Sequence, residues 1–102
     1  MHAADPHLHI LRSVIRAIDD HHARQEAESA RFHLFASLEA DNHVAAREWL
    51  TALRVALATY CAAYPDTPAG YQRVPAMDAL DAIERMLMLS WASIETVPVW
   101  SA

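Results

Sequence analysis

Apolar side chains recur every three or four residues along most of the chain, which is the period of an amphipathic α-helix. The first stripe follows Asp5 and Pro6, a pair typical of a helix start, because aspartate caps free N–H groups and proline suits the first turn. We therefore predict a helix over 6–19. Its apolar positions are Leu8, Leu11, Val14, Ile15 and Ile18.

Residues 19–29 contain no large apolar side chain, and the stripe that resumes after them is rotated relative to the first. The resumed stripe consists of Ala30, Phe32, Leu34, Phe35 and Leu38. Either the helix breaks near residues 19–22, with Asp20 capping a new helix, or one long helix presents different faces to different neighbours. We favour the break and predict the second helix over 21–40.

The rest of the chain predicts two more helices. A tight turn at 39–42 leads into a helix over 43–64, which is apolar on most sides and is therefore expected to be central. Prolines around Gly70 mark a loop, and the last helix is predicted over 75–95. Pro98 does not favour a helix, so residues 96–102 are expected to form an extended tail. We predict a single all-α domain over 1–102, a three- or four-helix bundle with an extended C-terminal tail.

Charge and cysteine content narrow the setting and the partners. The formal net charge is −5 and none of the eight basic residues is a lysine. The basic face that binding to nucleic acid or to an anionic membrane needs is therefore not expected. The sole cysteine, Cys61, excludes an internal disulfide and fits a reducing, cytoplasmic setting. No secretory signal peptide is expected from the N-terminal residues.

Seven histidines raise the question of a metal site. His22, Glu26 and His33 share one face if their helix is continuous, because spacings of four and seven residues are helical, and such a face would form half of a site. The later helices supply no matching histidine motif. A solvated polar stretch is the simpler interpretation, and we expect no metal and no other cofactor.

Catalytic chemistry has little support in the sequence. Cys61 lies late in an apolar helix, without the histidine or cationic neighbour that would favour a thiolate, so we expect a core residue. The sequence has neither a glycine-rich phosphate loop nor a serine nucleophile turn. We therefore expect that the protein is not an enzyme.

Aromatic residues and methionines are the more informative group, since these types are enriched at protein interfaces. The predicted partner-binding residues are Trp49, Tyr60, Tyr64, Met86, Met88, Leu89, Trp91 and Trp100. The run at 86–89 places apolar side chains on several faces of the last helix, which is more than one small core covers. We expect a homodimer or a complex with another protein, and no nucleic acid or membrane partner.

In size, helicity and charge, the chain resembles small helical antiactivators, which bind a transcriptional activator such as a quorum-sensing receptor and block its dimerisation. The resemblance implies a non-catalytic regulator that inhibits or sequesters a protein target through apolar helix faces. A phage-type inhibitor of a host defence protein has the same profile, and its acidic surface would imitate nucleic acid. The third hypothesis is a metal- or ligand-binding bundle that uses His22, Glu26 and His33.

Overall fold

The computed structural model describes the backbone of residues 3–101 and the side chains of residues 3–89. In this part of the chain four α-helices follow one another: α1 Asp5–Arg16, α2 His21–Glu39, α3 His43–Ala63 and α4 Arg73–Ser101. A single 3₁₀ turn, Gly70–Gln72, precedes α4. Both α1 and α3 pack against α2 and against α4, so the four helices form a ring around one core. The predicted all-α bundle is confirmed, with four helices.

Helix α1 begins one residue earlier than the sequence predicts. Its N-cap is Ala4, and Asp5 and Pro6 occupy the first two helical positions. The backbone N–H of Leu8 donates to the Ala4 carbonyl at 2.9 Å, which adds this residue to the helical turn. Asp5 is therefore not the cap, because the fixed φ of proline suits the second helical position as well as the first.

The helical backbone is interrupted between α1 and α2, and Asp20 marks the start of the second helix. Its Oδ2 accepts a hydrogen bond from the Ala23 backbone N–H at 2.8 Å, so Asp20 is the N-cap of α2. The Arg24 guanidinium donates to the Ile18 carbonyl at 3.1 Å and ties the start of α2 to the chain leaving α1. Of the two interpretations that the sequence leaves open, the structure therefore has the broken helix.

The turn between α2 and α3 is a Schellman motif with aspartate where glycine is usual. Asp41 has a φ of 55°. Its backbone N–H donates to the Leu38 carbonyl at 3.2 Å, and that of Asn42 donates to the Ser37 carbonyl at 2.9 Å. The Asn42 side chain then caps α3 by accepting from the Ala45 N–H at 3.1 Å. Two consecutive residues thus end one helix and start the next.

The core consists of aliphatic side chains and alanines from all four helices. Its larger members are Leu8, Leu11, Val14, Ile15, Ile18, Leu34, Leu38, Leu50, Leu53, Leu57, Tyr60, Leu80, Ile83 and Leu87. Every apolar position of the stripe predicted for α1 lies in it. Among the side chains that the structure describes, none that is polar or charged is buried. Apolar burial is therefore the main force that holds the helices together.

Two expectations about helix faces are wrong. The sequence places Phe32 and Phe35 on the core stripe of α2, but both rings are exposed. The other predicted positions, Ala30, Leu34 and Leu38, are buried as expected, and Ala27 joins them on the core side. Helix α3 is also not central, because Val55 is 59% exposed. Each helix of a four-membered ring buries one side and leaves the opposite side free.

Helix α4 is longer than the sequence predicts. It starts at Arg73, two residues before Pro75, and its helical backbone runs to Ser101. The tail predicted as extended over 96–102 therefore has helical backbone up to Ser101, with Pro98 inside the helix. Proline at this position lacks the N–H of one helical hydrogen bond. None of the helices over the described residues combines the length and the hydropathy needed to cross a membrane.

A charged cluster lies on the side of α2 that faces α1. The Arg31 guanidinium donates from Nε to Glu28 Oε2 at 3.1 Å. This hydrogen bond lowers the pKa of the Glu28 carboxyl, partial burial opposes the shift, and the positive charges of Arg31, Arg12 and Arg16 add to the lowering. The carboxylate is therefore held in its charged form by groups from both helices.

Glu28→Gln is expected to lower the free energy of unfolding near pH 7 by less than about 1 kcal/mol, since the carboxylate is partly in water. A pKa lowered in the folded state stabilises the fold above the unfolded value of about 4.3, and the contribution is lost as the pH falls through the folded value. Urea unfolding near neutrality and near pH 2 measures both limits. The two proteins should converge in acid, and Glu39→Gln should leave stability unchanged throughout. A deficit of Glu28→Gln that persists in acid would contradict the ion-pair explanation.

Candidate protein-binding face

The outer side of the α2–α3 pair carries a long apolar depression, which we call the α2–α3 groove. It is lined by Ala23, Glu26, Ala52, Val55, Ala56, Thr59, Tyr60, Ala63 and Tyr64 and has a volume of ≈ 610 Å³. The lining residues of α3 are neighbouring positions that recur with every helical turn, and they form a second stripe about a third of a turn from the core stripe. Glu26 is the sole charged side chain in this lining.

One aromatic pair lines the α2–α3 groove at one end, and a second pair lies just beyond the other end, about one helical turn before Ala52. At the end nearer the α2–α3 turn, the His33 ring stacks on Trp49 with centroids 4.3 Å apart and planes 19° apart. His33 is oriented by its Nδ1, which donates to the Ser29 carbonyl at 2.7 Å. At the other end Tyr60 and Tyr64 lie with ring centroids 5.0 Å apart. Rigid rings of this kind are the anchors that protein interfaces favour.

The predicted partner-binding residues fall in different places. Tyr64 is exposed at the end of the α2–α3 groove, whereas Tyr60 is almost fully buried and reaches the groove only with its edge. Trp49 is half-buried against the core. Trp49 and Tyr60 lie about three turns apart on α3, and Tyr64, just after its end, is the most exposed of the three.

On α4 the predicted residues separate into two groups. Met86 packs against the core and is half-buried, whereas Met88 and Leu89 are exposed. Among the described side chains, Leu87 is the last buried residue of α4. The side chains of Trp91 and Trp100 lie outside the described residues.

Sequence reasoning missed the small residues that make the groove. Ala52, Val55 and Ala63 are exposed on α3, and Ala23 faces them from α2. A search for a second apolar stripe on α3, separate from its leucines, would have found the first three. Sequence reasoning counted this helix as apolar on most sides and did not separate these residues from its core stripe. An alanine or a valine does not by itself indicate which neighbour covers it.

A second depression lies on the opposite side of the bundle, between α1 and α4, with a volume of ≈ 660 Å³. Its lining is His7, Ile10, Val74, Pro75, Asp78, Ala79, Asp81, Ala82 and Arg85. Three of these side chains carry full charges, compared with one in the α2–α3 groove. The α2–α3 groove is thus the more apolar of the two, and apolar surface is what drives most protein association.

No protein-family model, curated protein or solved structure matches the chain.

The proposed metal ligands are not brought together. His22 Nε2 and Glu26 Oε2 are 3.9 Å apart, and both side chains are largely exposed. His33 is stacked on Trp49 and bonded to its own helix, as described above. Among the described residues, no group of three or more histidine, cysteine, aspartate or glutamate side chains is arranged to hold a metal ion.

Cys61 lies in the interior, as the sequence predicts. Its thiol donates a long hydrogen bond to the Ala69 carbonyl, with sulfur and oxygen 3.6 Å apart. Burial raises the pKa of the Cys61 thiol, and the positive charge of Arg73 opposes the shift. The protonated thiol is a poor nucleophile, so its role here is to pack α3 against the loop that precedes α4.

The enclosed spaces between the helices are too small for a bound metabolite. One of ≈ 70 Å³ lies beside the α2–α3 turn, between Leu38, Ala46 and Leu87. Another of ≈ 60 Å³ lies between α3 and α4. Small-molecule sites usually measure about 300 Å³ or more. The larger depressions are open and lie on the surface, which suits a macromolecular partner.

Proposed function

We propose that this chain is a non-catalytic regulatory protein, which binds a protein target through the α2–α3 groove and thereby inhibits or sequesters it. The observation that supports this most strongly is the apolar groove itself. It remains open although the core beneath it is complete and every large aliphatic side chain of α1 except Ile10 is buried. Exposed apolar residues that share one depression are a feature of protein-binding sites.

The exposed apolar side chains of the groove have no packing role within the fold, which supports the proposal. Val55 and Tyr64 are more than half exposed, yet neither contributes to the packed core. Aromatic pairs at one end of the groove and just beyond the other give it fixed boundaries, which a surface used for specific recognition needs. A buried thiol and scattered histidines offer no competing catalytic explanation.

From the size, helicity and charge of the chain, we further propose that the target is a transcriptional activator. Binding of this chain would block the dimerisation of that activator. A long groove between two helices is the type of surface that accepts an amphipathic helix, and such helices commonly form dimer interfaces of regulators. We place this activity in the cytoplasm because the single cysteine is free.

The test uses a matched pair of variants. Val55→Glu puts a charge into the α2–α3 groove, whereas Val74→Glu makes the same change at an equally exposed position on the α1–α4 side. Both should unfold within about 0.5 kcal/mol of the wild type, since both sites are on the surface. Affinity capture from the native extract, followed by binding measurements with the purified target, should show a loss for Val55→Glu only.

Light scattering on the purified chain distinguishes binding to a target protein from formation of a homodimer. A monomer that forms a complex with the target, and converts the dimer of that target to a monomer, is the expected result. Equal capture by the wild type and Val55→Glu would overturn the assignment of the groove. A stable homodimer that Val55→Glu dissociates, with no captured target, would overturn the regulatory function.

A further inference from the structure

We infer that the occupant of the α2–α3 groove is an amphipathic α-helix of a partner protein, with arginine or lysine beside its apolar face. This inference rests on the proposed function and adds the chemistry of the partner. It follows from three properties of the groove: its length, the size of the side chains at its floor, and the sign of the charge along it.

The dimensions of the groove fit a helix. From Trp49, just beyond one end of the groove, to Tyr64 at the other, the chain rises through 15 residue steps, or about 22 Å. A helix of about four turns covers that distance. The floor between the two aromatic pairs is formed largely by alanine and by Val55. Small side chains allow a third helix to approach to about 8 Å from the axes of the two below it.

The charge along the groove is negative. Glu26 lines it from α2, and Glu48 lies on the same side of α3, one turn before Ala52. Both carboxylates lie in positions where they are largely in water. A helix lying between them would bring its flanking side chains within reach of both, and positive flanks would be attracted.

The arginines of α2 and α3 are all directed elsewhere. Arg24 binds the Ile18 carbonyl and Arg31 binds Glu28, both on the α1 side of the bundle. Arg54 contacts Asp81 at 2.9 Å and Glu84 at 3.2 Å on α4, and Arg47 lies beside Arg54. The groove therefore keeps its negative sign with no arginine of either helix to neutralise it.

The same charge pattern disfavours a second copy of this chain as the occupant. Two copies that met through this face would bring Glu26 and Glu48 of one against the same residues of the other. Like charges opposed across an interface are destabilising, and neither copy supplies an arginine there. A cationic helix from another protein meets no such repulsion.

The test uses the full chain and two synthetic helical peptides as probes. Each peptide has about 15 residues, is stapled to hold its helix, and carries the same leucine and alanine face. One has arginine along its flanks and the other has glutamate. Titration followed by fluorescence anisotropy should give a dissociation constant at least about tenfold lower for the arginine peptide at low salt. The preference should fall near 1 M salt, where the screening length is about 3 Å.

Matched variants separate the groove from the overall charge. Glu26→Gln with Glu48→Gln removes two charges at the groove, whereas Glu39→Gln with Asp78→Asn removes two charges elsewhere. Only the first pair should weaken the arginine peptide, by several-fold, and amide chemical shifts should change at Ala52 and its groove neighbours. Equal weakening by both pairs, equal binding of both peptides, or shifts confined to the α1–α4 side would overturn the inference.

Failure here differs from failure of the proposed function. If Val55→Glu loses a captured target but the peptides show no charge preference, the groove binds proteins and only the inferred chemistry is wrong. If the wild type captures no target that Val55→Glu loses, the function itself is wrong, whatever the peptides do.

Discussion

Replacing Leu80 with alanine is expected to lower the free energy of unfolding by about 2–5 kcal/mol. Leu80 is fully buried on α4, where its side chain meets the core between α1 and α3. Alanine removes the transfer free energy of the lost atoms and leaves a cavity that rigid helices refill only partly. Since a domain of this size has a total stability of about 5–15 kcal/mol, the variant should lose a substantial fraction of it.

The matched control is Leu89→Ala on the same helix. Leu89 is 71% exposed, and the change of residue, the helix propensity and the net charge are the same in both variants. Its unfolding free energy should stay within about 0.5 kcal/mol of the wild type. Chemical denaturation of the three proteins measures both effects. Equal losses for the two variants would mean that α4 does not pack as described.

Gly70→Ala is expected to destabilise the fold by about 1–3 kcal/mol, through a clash rather than a cavity. A Cβ at this position would lie 2.3 Å from the Tyr64 carbonyl oxygen and 2.7 Å from that of Pro65. Both obstacles are backbone atoms, which have no rotamer to escape into. The loop would have to open, although Thr67 holds it closed by donating to Tyr64 and accepting from the Gly70 N–H.

The midpoint of thermal unfolding should therefore fall by roughly 4–8 °C per kcal/mol lost in the Gly70→Ala variant. Tyr71→Ala is the control, because it changes the neighbouring residue and its ring is largely exposed. It should melt within a few degrees of the wild type. An unchanged melting temperature for Gly70→Ala would show that the loop relaxes without cost, contrary to the close packing described here.

Periodicity alone was sufficient where one face of a helix is clearly apolar. The stripe from Leu8 to Ile18 predicts the buried side of α1 because large aliphatic residues alternate there with arginines. The cap at Asp20 was also readable from the sequence, since its short side chain bonds to a nearby N–H group, whereas the cap expected at Asp5 was wrong. These are local effects, and they depend only on residues a few positions apart.

The candidate site was only partly predictable. The aromatic and methionine residues chosen from composition divide between core, groove and other exposed surface, as Tyr60, Tyr64 and Met88 illustrate. Their residue types are the same in all three settings, so type alone does not assign them. Val55 was missed because valine on a helix suits a core as well as a surface.

The sequence by itself determined the helices, most of their ends and the apolar composition of the core, because hydrogen bonding within a helix and capping are settled by neighbours in the chain. Only the tertiary structure decided which apolar face stays open. Ala27 and Ala30 of α2 are buried, Phe32 is exposed, and within the part of the chain that the structure describes no further helix covers the outer side of the α2–α3 pair. That outcome depends on how many helices share the core, which no local pattern records.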